Sequence, residues 1–232
     1  MHRVSDSGVY GLQKSILLNA FVEYVRSVLS MVEQDFSYES VFRFLRTGFT
    51  EFTRDEIDRL ENYVVAVGLR GYKKWQAVWA RKTNRTDEEE LAVLNGLRVR
   101  FVEMTESLVF VLKQRKKTVR DICEAVYRFF VENQIQEKLK VMENCFAEKK
   151  ELALAKEYAQ IYRIVLELFD KFAELLGDEG ISLKEYCELL DAGLEEAKVG
   201  VIPPGMDQVV IGDVQRTRLK SNLKALIFCG GE

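Results

Sequence analysis

Between Leu17 and Gln34 the apolar residues Leu18, Phe21, Val22, Val25, Val28, Leu29 and Val32 recur at steps of three and four, which predicts a helix with one buried face. Asp35-Phe36-Ser37 interrupts it, and Tyr38 to Arg46 predicts a short second helix ending at Thr47-Gly48. Thr53-Arg-Asp-Glu56 has the spacing of a capping box, with Phe52 and Ile57 placed to close over it as a hydrophobic staple. That helix runs through Leu60, Tyr63, Val64 and Val67 to Gly68. A second Thr-x-x-Glu box, Thr86 to Glu89, opens a long helix through Leu91, Leu94, Leu97, Phe101, Met104, Leu108 and Val111. Its heptad-like steps predict that it lies along another helix. Thr118 starts the next, with Val119, Ile122, Val126, Phe129 and Phe130 apolar, and Ile135 to Cys145 continues it or forms another. Ala153 to Leu176 repeats the pattern at Ile161, Val165, Leu168, Phe172 and Leu175, and a third box, Ser182 to Glu185, begins Leu183 to Lys198. The prediction is a bundle of about seven to nine helices whose stripes bury one another.

The last stretch is different. Pro203 and Pro204 are the only 2 prolines in the chain, and no helix runs through them. Gln208 to Ile211 and Leu223 to Phe228 are branched-apolar runs bounded by glycine and polar residues, the signal of short strands. Two strands make no sheet, so the chain is expected to be a piece of something larger. The fold class expected is mainly α: a multi-helix bundle followed by a small, incomplete α/β piece with two short strands.

Composition narrows the chemistry. The 232 residues are 47% hydrophobic and 31% charged, with a net charge of -3, so any attraction to nucleic acid must come from local patches. No apolar run reaches the roughly 18 to 20 residues that span a bilayer. The 4 cysteines, Cys123, Cys145, Cys187 and Cys229, are too widely spaced for a C-x-x-C metal site and read as reduced thiols. The 1 histidine is His2, which leaves no internal base for a serine or cysteine nucleophile and little for zinc. No Gly-Lys dipeptide occurs, so a phosphate-cradling G-x-x-x-x-G-K-[ST] loop is absent. Gly180 lies in an acidic stretch, but taking it as the turn glycine of a calcium loop puts Leu175, Gly177 and Tyr186 where oxygen ligands are required.

Two stretches offer contact chemistry. In the loop Gly212 to Lys220, Gly212, Asp213, Gln215, Arg216, Arg218 and Lys220 combine glycine freedom with two guanidinium forks two residues apart, which suits phosphate oxygens. The plainer alternative is that Asp213 and the arginines pair and fix the loop. Around Trp75 and Trp79, the cations Lys73, Lys74, Arg81, Lys82 and Arg85 suit phosphates while the indoles suit stacked bases. Spaced four apart, both tryptophans can instead face a core behind a solvated basic rim. Lys113, Arg115, Lys116, Lys117 and Arg120 form a third cluster, of the sign that a helix C-terminus favours.

Three strings carry a resemblance. Phe36-Ser-Tyr-Glu-Ser-Val-Phe-Arg-Phe-Leu-Arg-Thr-Gly48, then Leu60-Glu-Asn-Tyr63 with Gly68-Leu-Arg-Gly-Tyr-Lys-Lys-Trp75, and finally Gly200-Val-Ile-Pro-Pro204 with Asp207-Gln-Val-Val-Ile-Gly-Asp-Val-Gln-Arg-Thr-Arg218, resemble the B subunit of the bacterial AddAB (RexAB) ATP-dependent helicase-nuclease. The likeness covers Ser15 to Phe228 and leaves Met1 to Gln13 unplaced. It implies that residues 1–35 are the edge of a RecA-like lobe, 36–206 a helical insertion, and 207–232 the returning strands of that lobe. It puts the Gly212 to Arg218 loop where superfamily one helicases carry a motif contacting DNA and nucleotide.

The resemblance further implies a bacterial, cytoplasmic role in processing double-strand DNA breaks. The AddA motor would be the protein partner, and DNA, single-stranded and duplex, the other. The parent complex would use ATP, magnesium and an iron-sulfur cluster. This chain, lacking those motifs, is expected to hold none of them and to guide DNA and dock the two subunits. The alternative from another class is a free-standing helical scaffold that binds protein; a small helical hydrolase has almost no residue support.

Overall fold

The computed structural model describes residues 12–83 and 86–201, with only the backbone described at 12–14 and 198–201. Helix α1, Ala20–Glu33, is the centre of the bundle. Its buried residues Phe21, Val22, Tyr24, Val25, Ser27, Val28, Leu29, Met31 and Val32 circle most of the helix, the mark of a helix enclosed by others. Asn19 caps it: its Oδ1 accepts from the Phe21 amide at 2.9 Å, and its Nδ2 donates to Glu157 Oε1 at 2.8 Å, both side chains buried. The helix therefore starts three residues later than Leu17, because Asn19 supplies the oxygen that its first amides need.

At the end of α1 the chain turns through two consecutive left-handed residues, Asp35 at φ 45° and Phe36 at φ 57°. An aspartate tolerates this region, whereas a phenylalanine there is strained by roughly 1 to 3 kcal/mol. Full burial of the Phe36 ring, against Tyr72 at 4.7 Å and Phe101 at 6.0 Å, offsets that cost. Helices α2, Tyr38–Leu45, and α3, Arg54–Val67, follow. The expected Thr53–Glu56 box is present, and Phe52 and Ile57 beside it are both buried. Gly68 ends α3 at φ 65°, a position an L side chain rarely takes.

Helix α4 is only Tyr72–Gln76, and the long α5 is Glu88–Leu112. The cap of α5 corrects the expected Thr86–Glu89 box. Asp87 accepts from the Glu90 amide at 2.8 Å, while Thr86 is buried and its hydroxyl hydrogen-bonds that of Thr83 at 2.8 Å. A carboxylate is the stronger partner for the positive end of a helix, so the start moves one residue. As the heptad-like steps predicted, α5 packs along a neighbour, α6, Val119–Glu132, which Thr118 and Asp121 open as a capping box.

Gln134, at φ 51°, separates α6 from α7, Ile135–Glu148, which pairs with α8, Leu152–Leu176, as a helical hairpin. Helix α9, Leu183–Glu196, begins at the expected Ser182–Glu185 box. It stops before Lys198, which belongs to a strand. That strand, β2, Lys198–Val201, pairs antiparallel with β1, Leu12–Ser15, in the register Leu12↔Val201 to Ser15↔Lys198. Nothing in the sequence pattern signals this ribbon, since four residues give only two per face. The strands expected at Gln208 to Ile211 and Leu223 to Phe228, and the two prolines, lie outside the described residues.

One hydrophobic core runs through all nine of these helices, with α1 at its middle. That middle is aromatic: Tyr24 stacks on Phe129 at 5.8 Å and meets Phe44 at 5.2 Å, while Phe21 meets Phe130 edge-on at 5.3 Å. Burial holds the Tyr24 phenol well above its ordinary pKa, and its hydroxyl has no hydrogen-bond partner among the described residues.

Candidate nucleic-acid interface

Helix α4 is too short to persist alone, so something else must hold its peptide groups. Arg98 of α5 does so from beneath. Its Nη1 donates to the Trp75 carbonyl at 2.9 Å and the Gln76 carbonyl at 3.2 Å, and its Nε donates to Asn95 Oδ1 at 3.1 Å. Asn95 in turn accepts from the Trp79 amide and donates to the Trp79 carbonyl, both at 2.9 Å. Two polar residues one turn apart on α5 thereby fix the whole stretch from Trp75 to Trp79. Arg98 is buried, which sequence reasoning misses, because an arginine on a charged helix reads as solvated.

This scaffold decides between the two readings of the tryptophans. Trp75 is 1% exposed and Trp79 6%; Trp75 lies 4.5 Å from Phe101 and 5.2 Å from Trp79. Trp79 stacks on Tyr63 at 5.1 Å and donates its Nε1 to the Lys74 carbonyl at 2.9 Å. Trp75, named with the cations as a contact residue, is thus a core residue that presents no ring face to a base.

The cations separate to two sides. Lys74 and Arg81 edge a shallow groove of about 250 Å³ between α3 and α4, floored by Tyr63, Val67, Leu69 and Trp79 and flanked by the exposed Val78. Arg81 reaches the Val67 carbonyl at 3.4 Å, and the Tyr63 hydroxyl donates to the Arg81 carbonyl at 2.8 Å. Lys82 pairs with Glu88 at 2.6 Å, which takes it away from the groove. Lys73 is exposed at the start of α4, next to Tyr72, whose amide reaches Asp35 in the α1–α2 turn. Arg85 and the whole set Gly212, Asp213, Gln215, Arg216, Arg218 and Lys220 lie outside the described residues.

At the α1–α2 turn the structure brings together groups that are far apart in sequence. Asp35 Oδ1 accepts from Lys113 Nζ at 2.5 Å, just beyond the end of α5, and from the Tyr72 amide at 3.5 Å. Gly71, at φ 89°, lets the start of α4 approach, since a Cβ there would sit 3.2 Å from Asp35 Oδ2. Lys113, together with the charge of Lys73, holds the Asp35 carboxyl below its ordinary pKa. Lys113 Nζ also lies 5.2 Å from the centre of the Tyr72 ring and 5.9 Å from that of Phe36. Beyond it the joint between α5 and α6 carries the exposed Arg115 and Lys116, neither with an ion-pair partner among the described residues. The joint is fixed by hydrogen bonds from Val119 N to Glu179 O at 3.0 Å and from Ile181 N to Lys117 O at 3.1 Å.

The three thiols among the described residues stand in different surroundings, and Cys229 lies outside them. Cys123 is buried against the Tyr186 hydroxyl at 3.3 Å, and burial raises its pKa; burial likewise pushes the Cys187 thiol up to about 12, and Cys145 is exposed on α7. Among the described residues no three histidine, cysteine, aspartate or glutamate side chains converge as for a metal ion, and no helix is long and apolar enough to cross a membrane.

No protein-family model matches the chain. Curated relatives do. It is 44% identical over 221 residues to the B subunit of an ATP-dependent helicase/deoxyribonuclease of Lachnoclostridium phytofermentans, a match that covers 94% of this chain and 19% of the relative. Proteins of the same name from Clostridium novyi and Clostridium acetobutylicum are 36% and 34% identical, again over 94% of this chain. The chain spans about a fifth of the length of these relatives, 19 to 20%. Over nearly all of its residues, then, it belongs with one segment of the B subunits of the ATP-dependent helicase/deoxyribonucleases.

Proposed function

We propose that this chain is a non-catalytic segment of a helicase-nuclease B subunit that guides DNA and docks the two subunits during the processing of double-strand breaks in the bacterial cytoplasm. The observation that carries this is the 44% identity across 94% of the chain to a fifth of a protein named for both activities. The missing phosphate loop fits a segment that leaves ATP and magnesium to other parts of the complex, and the wide sequence spacing of the 4 cysteines fits an iron-sulfur cluster held in another part of it. Residues 1–35 and 207–232 then belong to the edge of a RecA-like lobe and 36–206 to a helical insertion, although α1 packs into the core of the insertion itself.

The contact residues proposed are Lys73, Lys74 and Arg81 with the loop Gly212, Asp213, Gln215, Arg216, Arg218 and Lys220. The AddA motor is the protein partner proposed. Fluorescence anisotropy of a labelled single-stranded oligonucleotide, titrated with the chain across salt, tests the DNA part. Weak binding that falls with salt and falls again in Arg216→Ala/Arg218→Ala is expected. Absence of salt-dependent binding refutes DNA guiding by this chain.

A further inference from the structure

We propose that the α1–α2 turn, Lys73 of α4 and the α5–α6 joint form a single seat for the phosphate backbone of nucleic acid, in which Asp35 is the built-in counter-ion. The inference rests on the reading of this chain as a DNA-guiding segment and locates one contact surface within it.

Three observations lead there. First, the segments carrying Lys73 and Lys113, far apart in sequence, meet at one carboxylate: Asp35 Oδ1 accepts from Lys113 Nζ at 2.5 Å and from the amide of Tyr72, the residue before Lys73, at 3.5 Å. Second, the carboxylate is placed by strained backbone. Asp35 and Phe36 both have positive φ, and Gly71 at φ 89° makes room for the Asp35 oxygen. Aspartate tolerates the left-handed region and burial of the Phe36 ring offsets the strain at that residue, so the turn is stable and holds the Asp35 backbone in one place beside α4 and the end of α5. Third, the cations next to it are left unused. Arg115 and Lys116 stand exposed on a joint fixed by backbone hydrogen bonds, whereas Arg120 on the far side is engaged by the Ala173 carbonyl at 3.1 Å and by Asp178 at 3.6 Å.

Cations of one sign on a rigid joint suit a polyanion, which gains by releasing its own counterions. Asp35 lowers the charge of the seat in the free protein and keeps Lys113 from wandering. The acidic residue Glu106, which after burial helps to raise the Tyr72 phenol, sits about two turns back along α5 from Lys113 and has no contact with Lys113 among the described residues. The ordinary alternative is that Lys113, Arg115 and Lys116 only complement the negative end of α5.

The two separate by the sign of one substitution. Asp35→Asn keeps a residue that accepts left-handed backbone, and it frees Lys113. If the seat binds phosphates, this variant binds a labelled single-stranded oligonucleotide roughly fivefold more tightly at about 0.1 M salt, with a log–log salt slope steeper by about 0.7. Arg115→Ala/Lys116→Ala, which touches only exposed side chains, weakens binding roughly tenfold and flattens the slope by about 1.4. Asp35→Asn/Lys113→Ala, which removes the pair without changing net charge, returns to the wild-type affinity. Circular dichroism and thermal melting show that each variant is folded. Folded variants of Asp35 or of Arg115 and Lys116 that bind like the wild type overturn the seat, as does weaker binding by Asp35→Asn, while leaving DNA guiding through the other residues intact. A wild-type chain that binds no DNA overturns both.

Discussion

Replacing Arg98 by methionine keeps the aliphatic stem of the side chain and removes three donated bonds: two to the carbonyls of Trp75 and Gln76, and one to Asn95. Charge-assisted hydrogen bonds contribute roughly 1.5 to 3 kcal/mol each, and an acceptor left buried without a donor costs roughly 1 to 3 kcal/mol. Against this, the variant no longer has to desolvate a guanidinium, which returns several kcal/mol. A net loss of about 3 kcal/mol follows, or a fall in melting temperature of roughly 6 to 12 °C for a chain of this size. Arg98→Lys restores little, because an ammonium cannot reach two carbonyls and an amide oxygen in the plane that the guanidinium spans.

The assay is favourable, since the chain has 2 tryptophans and both stand on this module. In urea, Arg98→Met should lose tryptophan fluorescence before it loses helical circular dichroism, the sign that α4 opens ahead of the bundle. Coincident transitions within about 0.5 kcal/mol of the wild type, or full rescue by lysine, would refute the claim that Arg98 holds α4 in place.

Two other predictions concern titration and thiol access. Arg100, and then the Thr53 amide, holds Glu56 down to a pKa of about 2 from 4.5, so its stabilising share is complete above pH 4.5 and disappears as pH falls towards 2. The difference in urea midpoint between the wild type and Glu56→Gln should therefore be largest near neutral pH and shrink through that window; a constant difference would contradict the pairing. In a Cys229→Ser background, Cys145 should react with a disulfide reagent at pH 8 in a single fast phase, while Cys123 and Cys187 wait for unfolding, since burial raises both of their pKa values. Fast reaction of more than one thiol in the folded chain would disprove that placement.

The helices are legible because each carries its own instructions. Apolar steps of three and four fix a face, and boxes such as Thr53 with Glu56 and Ser182 with Glu185 fix a start, all within a few residues of sequence. Helix α5 starts one residue away from its apparent box because Thr86 and Asp87 compete as caps: Asp87 offers the stronger, charged acceptor, and the pairing of Thr86 with Thr83, which the sequence pattern does not display, holds the threonine away. The ribbon of β1 and β2 is not legible, because its pairing depends on α1 and α9 bringing Leu12 and Val201 together from opposite parts of the chain.

The candidate site divides in the same way. Reading along the chain was enough to establish a helical bundle, basic residues gathered near Trp75 and after Val111, and a resemblance to a helicase-nuclease subunit, because helix periodicity, caps and long matching strings are local properties. That Trp75 faces inward, that Arg98 is buried beneath α4, and that the Tyr72 amide and Lys113 both meet Asp35 emerged only once the helices were packed. Burial and charge pairing depend on which helix faces meet, and no window of sequence contains both partners of a contact that the fold makes between α4 and α5.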